Sequence, residues 1–249
     1  MNGQLHHLIQ VVDTCSKYLN GKSQNVLDDK HYSSLVFIKQ KENTIIKKLM
    51  GKPTSELVIA TKISEFQKYL ENNKCKKVYI HLSVEEDDIN LSAYANGIAG
   101  RLMICEFNNY IEIWRNSFNY NGEKWDVVYY MIDGSNKQYK PVKRNLEEEY
   151  IKLIDCYESL EEFALLIEQK YWAEFFEKGK RNLLDIPDLE RNEINKVIQN
   201  IKWPFGGMGS WNDSPPYSAH EKGLDEDFKV KSNMLYNQLH VVIEAILNM

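Results

Sequence analysis

The stretch Ile201-Lys-Trp-Pro-Phe-Gly-Gly-Met-Gly-Ser-Trp-Asn-Asp-Ser-Pro-Pro-Tyr217 constrains the fold of this chain more than any other. It holds three of the six prolines, two of the five tryptophans and three of the twelve glycines. Proline removes a backbone donor and glycine loses the most entropy on ordering, so the segment is neither helix nor central strand. Trp203, Phe205, Met208 and Trp211 carry too much apolar surface for a solvated linker. An ordered loop is the remaining choice, and it has two forms. In one, Trp211 and Phe205 plug the groove between flanking helices while the glycines let the turn close. In the other, the aromatic residues and Met208 face a partner, since these types are enriched at interface cores. Asn212 and Asp213 suit either form, because their side chains hold turns through backbone hydrogen bonds.

Helical periodicity flanks this loop and also opens the chain. Leu5, Leu8, Ile9 and Val12 recur at i, i+3, i+4 and i+7, predicting an amphipathic helix that ends near Asn20-Gly21. Leu35, Ile38, Ile45, Ile46 and Leu49 predict a second helix, closed by Gly51 and Pro53, and residues 64–72 a third. The texture then becomes β-branched and aromatic, predicting strands at 77–82, 101–107, 110–115 and 125–132. Asn121-Gly122 signals a type I′ hairpin and Asp133-Gly134 another turn, with a short edge strand at 139–142. Residues 83–100 read as a short helix or irregular crossing, opened by the capping box Ser83-Val-Glu-Glu86. Beyond Asn145 the pattern is helical again. A stripe from Leu146 to Tyr157 is followed by a helix opening at the capping box Ser159-Leu-Glu-Glu162 and ending near Gly179. A further helix covers Ile194, Val197, Ile198 and Ile201, and a last one 225–248. The expected class is α+β: N-terminal helices, an antiparallel meander of about four strands, and a C-terminal helical region. Residues 1–143 and 144–249 are its expected parts, with the ordered loop at 203–217.

Charge is unevenly spread. Residues 1–82 hold 13 Lys/Arg against 7 Asp/Glu (+6) and residues 83–249 hold 18 against 29 (−11), which closes on the net charge of −5. An acidic C-terminal two-thirds argues against nucleic acid as ligand and suits a basic protein partner. The four cysteines are far apart without a CxxC pair, so no zinc or redox spacing exists, and no cofactor is implied. The N-terminus lacks a signal-peptide layout and no apolar run approaches a membrane span, so a cytoplasmic setting without membrane is expected.

Catalytic patterns are sparse. His81, at a strand end with Glu85, Glu86, Asp87 and Asp88 just beyond, is the best case for a metal-assisted hydrolase, but no second histidine stands at ligand spacing. Gly207-Met-Gly-Ser210 has its glycines misplaced for a nucleophile elbow, and no helix start follows Gly206-Gly-Met-Gly209 as a phosphate cradle requires. No catalytic or metal-ligating residue is therefore assigned.

Phe205-Gly-Gly-Met-Gly-Ser-Trp-Asn-Asp213, leading into a C-terminal helix, resembles a tail motif of small bacterial proteins of the toxin-immunity type. The resemblance spans about 45 residues and implies a protein that neutralises a cognate toxin by binding it. The expectation is thus an interaction protein with a basic toxin domain as partner. Glu85, Glu86, Asp87 and Asp88 are the first candidates for contact and Trp211, Asn212 and Asp213 the second. A hydrolase at His81 and an oligomerising scaffold built on the terminal helices are the alternatives.

Overall fold

The computed structural model describes residues 3–21, 32–40, 56–85, 88–92, 94, 96–136, 138–185 and 201–249. Its elements in chain order are α1 (Gly3–Leu19), β1 (Tyr32–Gln40), β2 (Glu56–Ala60), α2 (Ile63–Asn72), β3 (Lys77–Leu82), α3 (Asp88–Leu91), β4 (Arg101–Glu106), β5 (Ile111–Tyr120), β6 (Trp125–Ser135), α4 (Leu146–Leu166), α5 (Lys170–Leu184), α6 (Pro215–Glu221) and α7 (Asp225–Asn248). The class is α+β. The chain forms two compact units, one of residues 4–81 and 101–141 and the other of 82–100 and 142–249 with the first three residues. The crossing at 82–100 thus belongs with the C-terminal helices. The first unit holds 18 Lys/Arg against 12 Asp/Glu (+6) and the second 13 against 24 (−11).

The first unit is a sheet with helices on one face. Its strands lie in the order β2-β1-β6-β5-β4-β3, so the sheet has six strands rather than about four. It is mixed rather than antiparallel, because β1 runs parallel to β6. The surplus comes from 32–40 and 56–60, where the predicted second helix is instead strand as far as residue 40. Leu35 and Ile38 have helical spacing, but they belong to the continuous run Leu-Val-Phe-Ile, and such a run equally suits an interior strand. Pairing on both sides, with β2 and with β6, decides for strand. Ile45, Ile46, Leu49, Gly51 and Pro53 lie outside the described residues.

Three local expectations change in detail. The β5–β6 hairpin closes at the expected place, but over residues 121–124, and Asn121 stays out of the left-handed region that a type I′ turn needs. Asn121 instead accepts from the backbone N–H of Glu123 at 3.2 Å and Lys124 at 3.0 Å, while Gly122 takes a φ of +103°. Asp133-Gly134 is no turn: Asp133 pairs with Ile113 and Gly134 with Glu112, and β6 accommodates Ile132 as an extra residue. Residues 138–145 are not strand. Tyr139 instead lays its ring 5.2 Å from that of Tyr79.

Alternation places Glu112, Trp114, Asn116 and Phe118 of β5 on the covered face. Phe37 stacks on Phe66 of α2 at 3.8 Å, and Gln67 of α2 donates to the Thr14 carbonyl of α1 at 3.4 Å, so α1 and α2 lie side by side on that face. A polar knot sits within it. Gln4 and Asn116 exchange side-chain-to-backbone bonds at 2.9 and 3.1 Å. Asn116 also donates to the Tyr129 hydroxyl at 3.4 Å, which leaves the phenolic proton for His7 Nδ1 at 2.9 Å. His7 is 1% exposed, with Tyr32 and Phe118 edge-on to its ring.

The second unit is helical. The expected break at Ser159 does not occur, and α4 runs unbroken from its N-cap Asn145, which accepts from Glu147 N at 3.2 Å. Ser159 matches a capping box by composition, yet its hydroxyl accepts from Lys231 of α7 at 2.6 Å instead. The chain turns between α4 and α5 at Glu168, whose φ is +61°. Gly179 does not end a helix. It lies inside α5, where a Cβ would stand 2.6 Å from the Tyr157 ring, so its bare backbone is the notch that receives that ring. Of the predicted 194–201 helix, only Ile201 lies within the described residues. The capping box at Ser83 does not open a helix directly, since α3 starts at Asp88 and Glu86 lies outside the described residues.

The buried histidine yields a pH prediction. Burial first, and the charge of His6 second, lower the His7 pKa from 6.5 to about 4. Between those values the unfolded chain takes up a proton that the folded chain refuses, so stability falls as pH drops from 6.5 toward 4 and the loss is complete below. The full span is worth about 3 kcal/mol. Denaturant unfolding between pH 7 and 4 is expected to show that much less pH dependence in His7→Phe than in the native chain; equal slopes would refute it.

Candidate functional site

The 201–217 loop is ordered and docked through Trp211. That indole is 0% exposed. It lies against Trp172 and Phe176 of α5 at ring distances of 5.5 and 4.9 Å, and against Phe228 of α7 at 5.2 Å. Its Nε1–H donates to Ser232 Oγ of α7 at 2.8 Å, so the one polar atom of the plug is satisfied. The leading half of the loop docks as well. Phe205 stands edge-on to Tyr236 at 5.1 Å, and Trp203 stands edge-on to Tyr236 and His240 at 5.7 and 5.3 Å. The plug form of the loop is therefore the one that exists.

The turn between these anchors uses its polar groups on itself. Asn212 Oδ1 accepts from Gly206 N at 3.2 Å and from the Ser210 hydroxyl at 2.7 Å. Asp213 Oδ2 accepts from Gly209 N at 2.7 Å, and Trp211 N donates to the Pro204 carbonyl at 2.9 Å. Asn212 and Asp213 thus hold the turn, as their chemistry predicts. Met208, at its tip, is 98% exposed.

Two candidate sets far apart in sequence come together here. Asn212 Nδ2 donates to the Ile89 carbonyl of α3 at 3.4 Å, and the Tyr236 hydroxyl donates to the Asp88 carbonyl at 3.3 Å. Glu85 is exposed beside them, and Glu86 and Asp87 lie outside the described residues. Asp88 is buried, and its Oδ2 accepts from Glu85 N at 3.0 Å, so it shapes the start of α3. Of the residues named from sequence, Glu85 and Asp213 reach the surface, Asn212 does so in part, and Trp211 and Asp88 act from beneath it.

The chemistry proposed for His81 finds a hydrogen bond rather than a ligand set. His81 Nδ1 lies 3.2 Å from the Tyr139 hydroxyl. Among the described residues, no three His, Cys, Asp or Glu are grouped as a metal ion requires. Burial raises the Cys15 and Cys105 thiols far above their usual range and lifts Cys156 to about 11, so none of the three offers a thiolate at neutral pH. Among the described residues, no helix is long and apolar enough to cross a membrane.

A buried carboxylate in the sheet unit lies outside the sequence expectations. Glu112 of β5, its side chain 3% exposed, accepts from Lys39 of β1 and, at 2.8 Å, from the Tyr69 hydroxyl of α2. Burial, and then the Glu112 charge, push the Tyr69 phenol far above its usual range, so it stays a donor. The signal was available: Glu112 alternates with Trp114 and Phe118, which marks an inward carboxylate. Because Lys39 and Tyr69 both donate to the same carboxylate oxygen, the group ties β1 and α2 to β5. No protein family, no characterised protein and no solved structure matches this chain.

Trp211 carries a stability prediction. Trp211→Ala is expected to cost about 3–5 kcal/mol, the range for emptying a large aromatic site. Ser232→Ala, which strands the buried indole N–H, costs about 1–3 kcal/mol. Chemical denaturation of both variants checks the order, and an unchanged midpoint for Trp211→Ala would remove the plug role.

Proposed function

We propose that this chain is a cytoplasmic bacterial interaction protein that neutralises a basic toxin domain by binding and occluding it. The carrying observation is the division of charge between the two units, −11 on the C-terminal helical unit against +6 on the sheet unit. A compact acidic unit attracts a cationic partner over a Debye length of roughly 10 Å and speeds its association. The same unit bears the self-supported loop of the immunity-type motif and, beside it, exposed Glu85. A neutraliser needs a rigid complementary surface, and the bonds from Asn212 and Asp213 to the loop backbone supply that rigidity.

The hydrolase reading has less support, because among the described residues no group of His, Cys, Asp or Glu gathers at His81 as a metal ion requires. The scaffold reading is separated by the same measurement as the main one. On this reading a large secreted protein is expected to be encoded beside this chain; its C-terminal domain is mixed with the purified full chain, and complex formation is followed by light scattering and surface plasmon resonance. A one-to-one complex is expected, with association slowed about tenfold or more when ionic strength rises from about 0.05 to about 0.5 M. Self-association of the chain in place of that complex would favour the scaffold, and absence of any complex would overturn the reading.

A further inference from the structure

The turn at 206–210 has two features that folding does not require. The first is Met208. An apolar side chain stands 98% exposed on a turn whose Asn212, Ser210 and Asp213 side chains all bond back into the loop. The second is Gly207. Gly209 needs to be glycine because its φ is +76°. Gly207 lies outside the left-handed region, and a Cβ built on it meets nothing within 4 Å. Neither backbone conformation nor crowding asks for glycine there, and glycine has an entropic cost on ordering. What its bare backbone does provide is open space directly beside Met208.

We propose that this turn presents Met208 as the anchor that enters an apolar pocket on the basic protein partner, with Gly207 leaving room for the pocket's rim. The inference rests on the binding function proposed above and names the contact through which it acts. The occupant follows from the chemistry of the tip and its surroundings. A thioether chain is unbranched and polarizable, so it fills irregular apolar pockets and carries no charge of its own. The unit around it is strongly acidic, so the pocket that fits lies on a cationic surface. The loop is already fixed by Trp211 below and Asn212 within, so little ordering entropy remains to be lost on binding. Binding energy concentrated in one central side chain, surrounded by contacts that exclude water, is the usual pattern of protein interfaces.

The test uses the full chain and the same purified toxin domain. Met208→Ser is expected to weaken affinity about tenfold or more, mostly through faster dissociation, and Met208→Leu to stay within about threefold of the native chain. Gly207→Gln is the more telling variant. Thermal unfolding should leave its Tm unchanged or raised, while affinity falls about tenfold as the new side chain holds the partner's surface away. Met234→Ser, at a half-exposed methionine of α7, should bind as the native chain does. If the native chain binds and both tip variants bind equally well, the anchor is refuted while the binding function stands. If light scattering shows that the tip variants abolish self-association instead, the anchor serves a second copy and the proposal is overturned. If the native chain does not bind at all, the functional reading fails and takes the anchor with it.

Discussion

The indole of Trp211 is the contact through which the helices of the C-terminal unit and its loop agree on their positions. It touches α5 through Trp172 and Phe176 and α7 through Phe228 and Ser232, while its own backbone N–H closes the loop onto Pro204. Helices joined by long connections can slide past one another without losing much apolar burial, because ridge-and-groove packing is tolerant of small shifts. A flat ring with one directional N–H removes that freedom, since only one placement both buries the ring and meets the hydroxyl of Ser232. The Tyr157 ring seated in the notch at Gly179 does the same between α4 and α5. Its hydroxyl also donates to the Lys202 carbonyl and so reaches the foot of the loop.

In the sheet unit the corresponding constraint is polar. A carboxylate as deeply buried as Glu112 is costly unless its charge is matched, and even a matched pair recovers only part of the desolvation. Such a group adds little to stability but penalises wrong pairings strongly. A strand shifted by one residue would turn Glu112 to the other face and leave Lys39 and Tyr69 without their common acceptor. The Gln4–Asn116 exchange does the same for α1, because it pairs a helix side chain with a strand backbone at one register only. Each of the two units is therefore specified by directional groups set within apolar packing.

These devices also mark the limit of what was legible in the sequence. The loop at 201–217, α1, α2, α7 and four of the strands could be read because each depends on local pattern: period, turn residues or composition. The helix predicted across Leu35 and Ile38 failed because a continuous apolar run carries no period, and its state was decided by β6, nearly a hundred residues away. Ser159 and Gly179 misled for the same reason. A serine before Leu-Glu-Glu and a glycine after a helical stripe are local start and stop signals, yet one serves Lys231 and the other the Tyr157 ring. At the candidate site, Asn212 and Asp213 were legible as turn holders. The proximity of Asp88 and Ile89 to Asn212 and Tyr236 was not, because no residue pattern announces a contact across more than 120 positions.

The loop thus combines two demands that usually conflict. A surface that offers an apolar anchor risks non-specific association, and one held by charge alone associates fast but separates fast. This unit carries a net charge of −11, while the exposed apolar residue of the turn is a single side chain on a self-bonded tip. On the binding function proposed above, long-range attraction sets how often a cationic protein arrives, and one methyl thioether sets which arrivals persist. The rigidity needed for the second task is supplied by the same tryptophan that holds the helices. The loop's buried and exposed faces are therefore one design: the plug sets the helices, and the set helices keep the tip in a single shape.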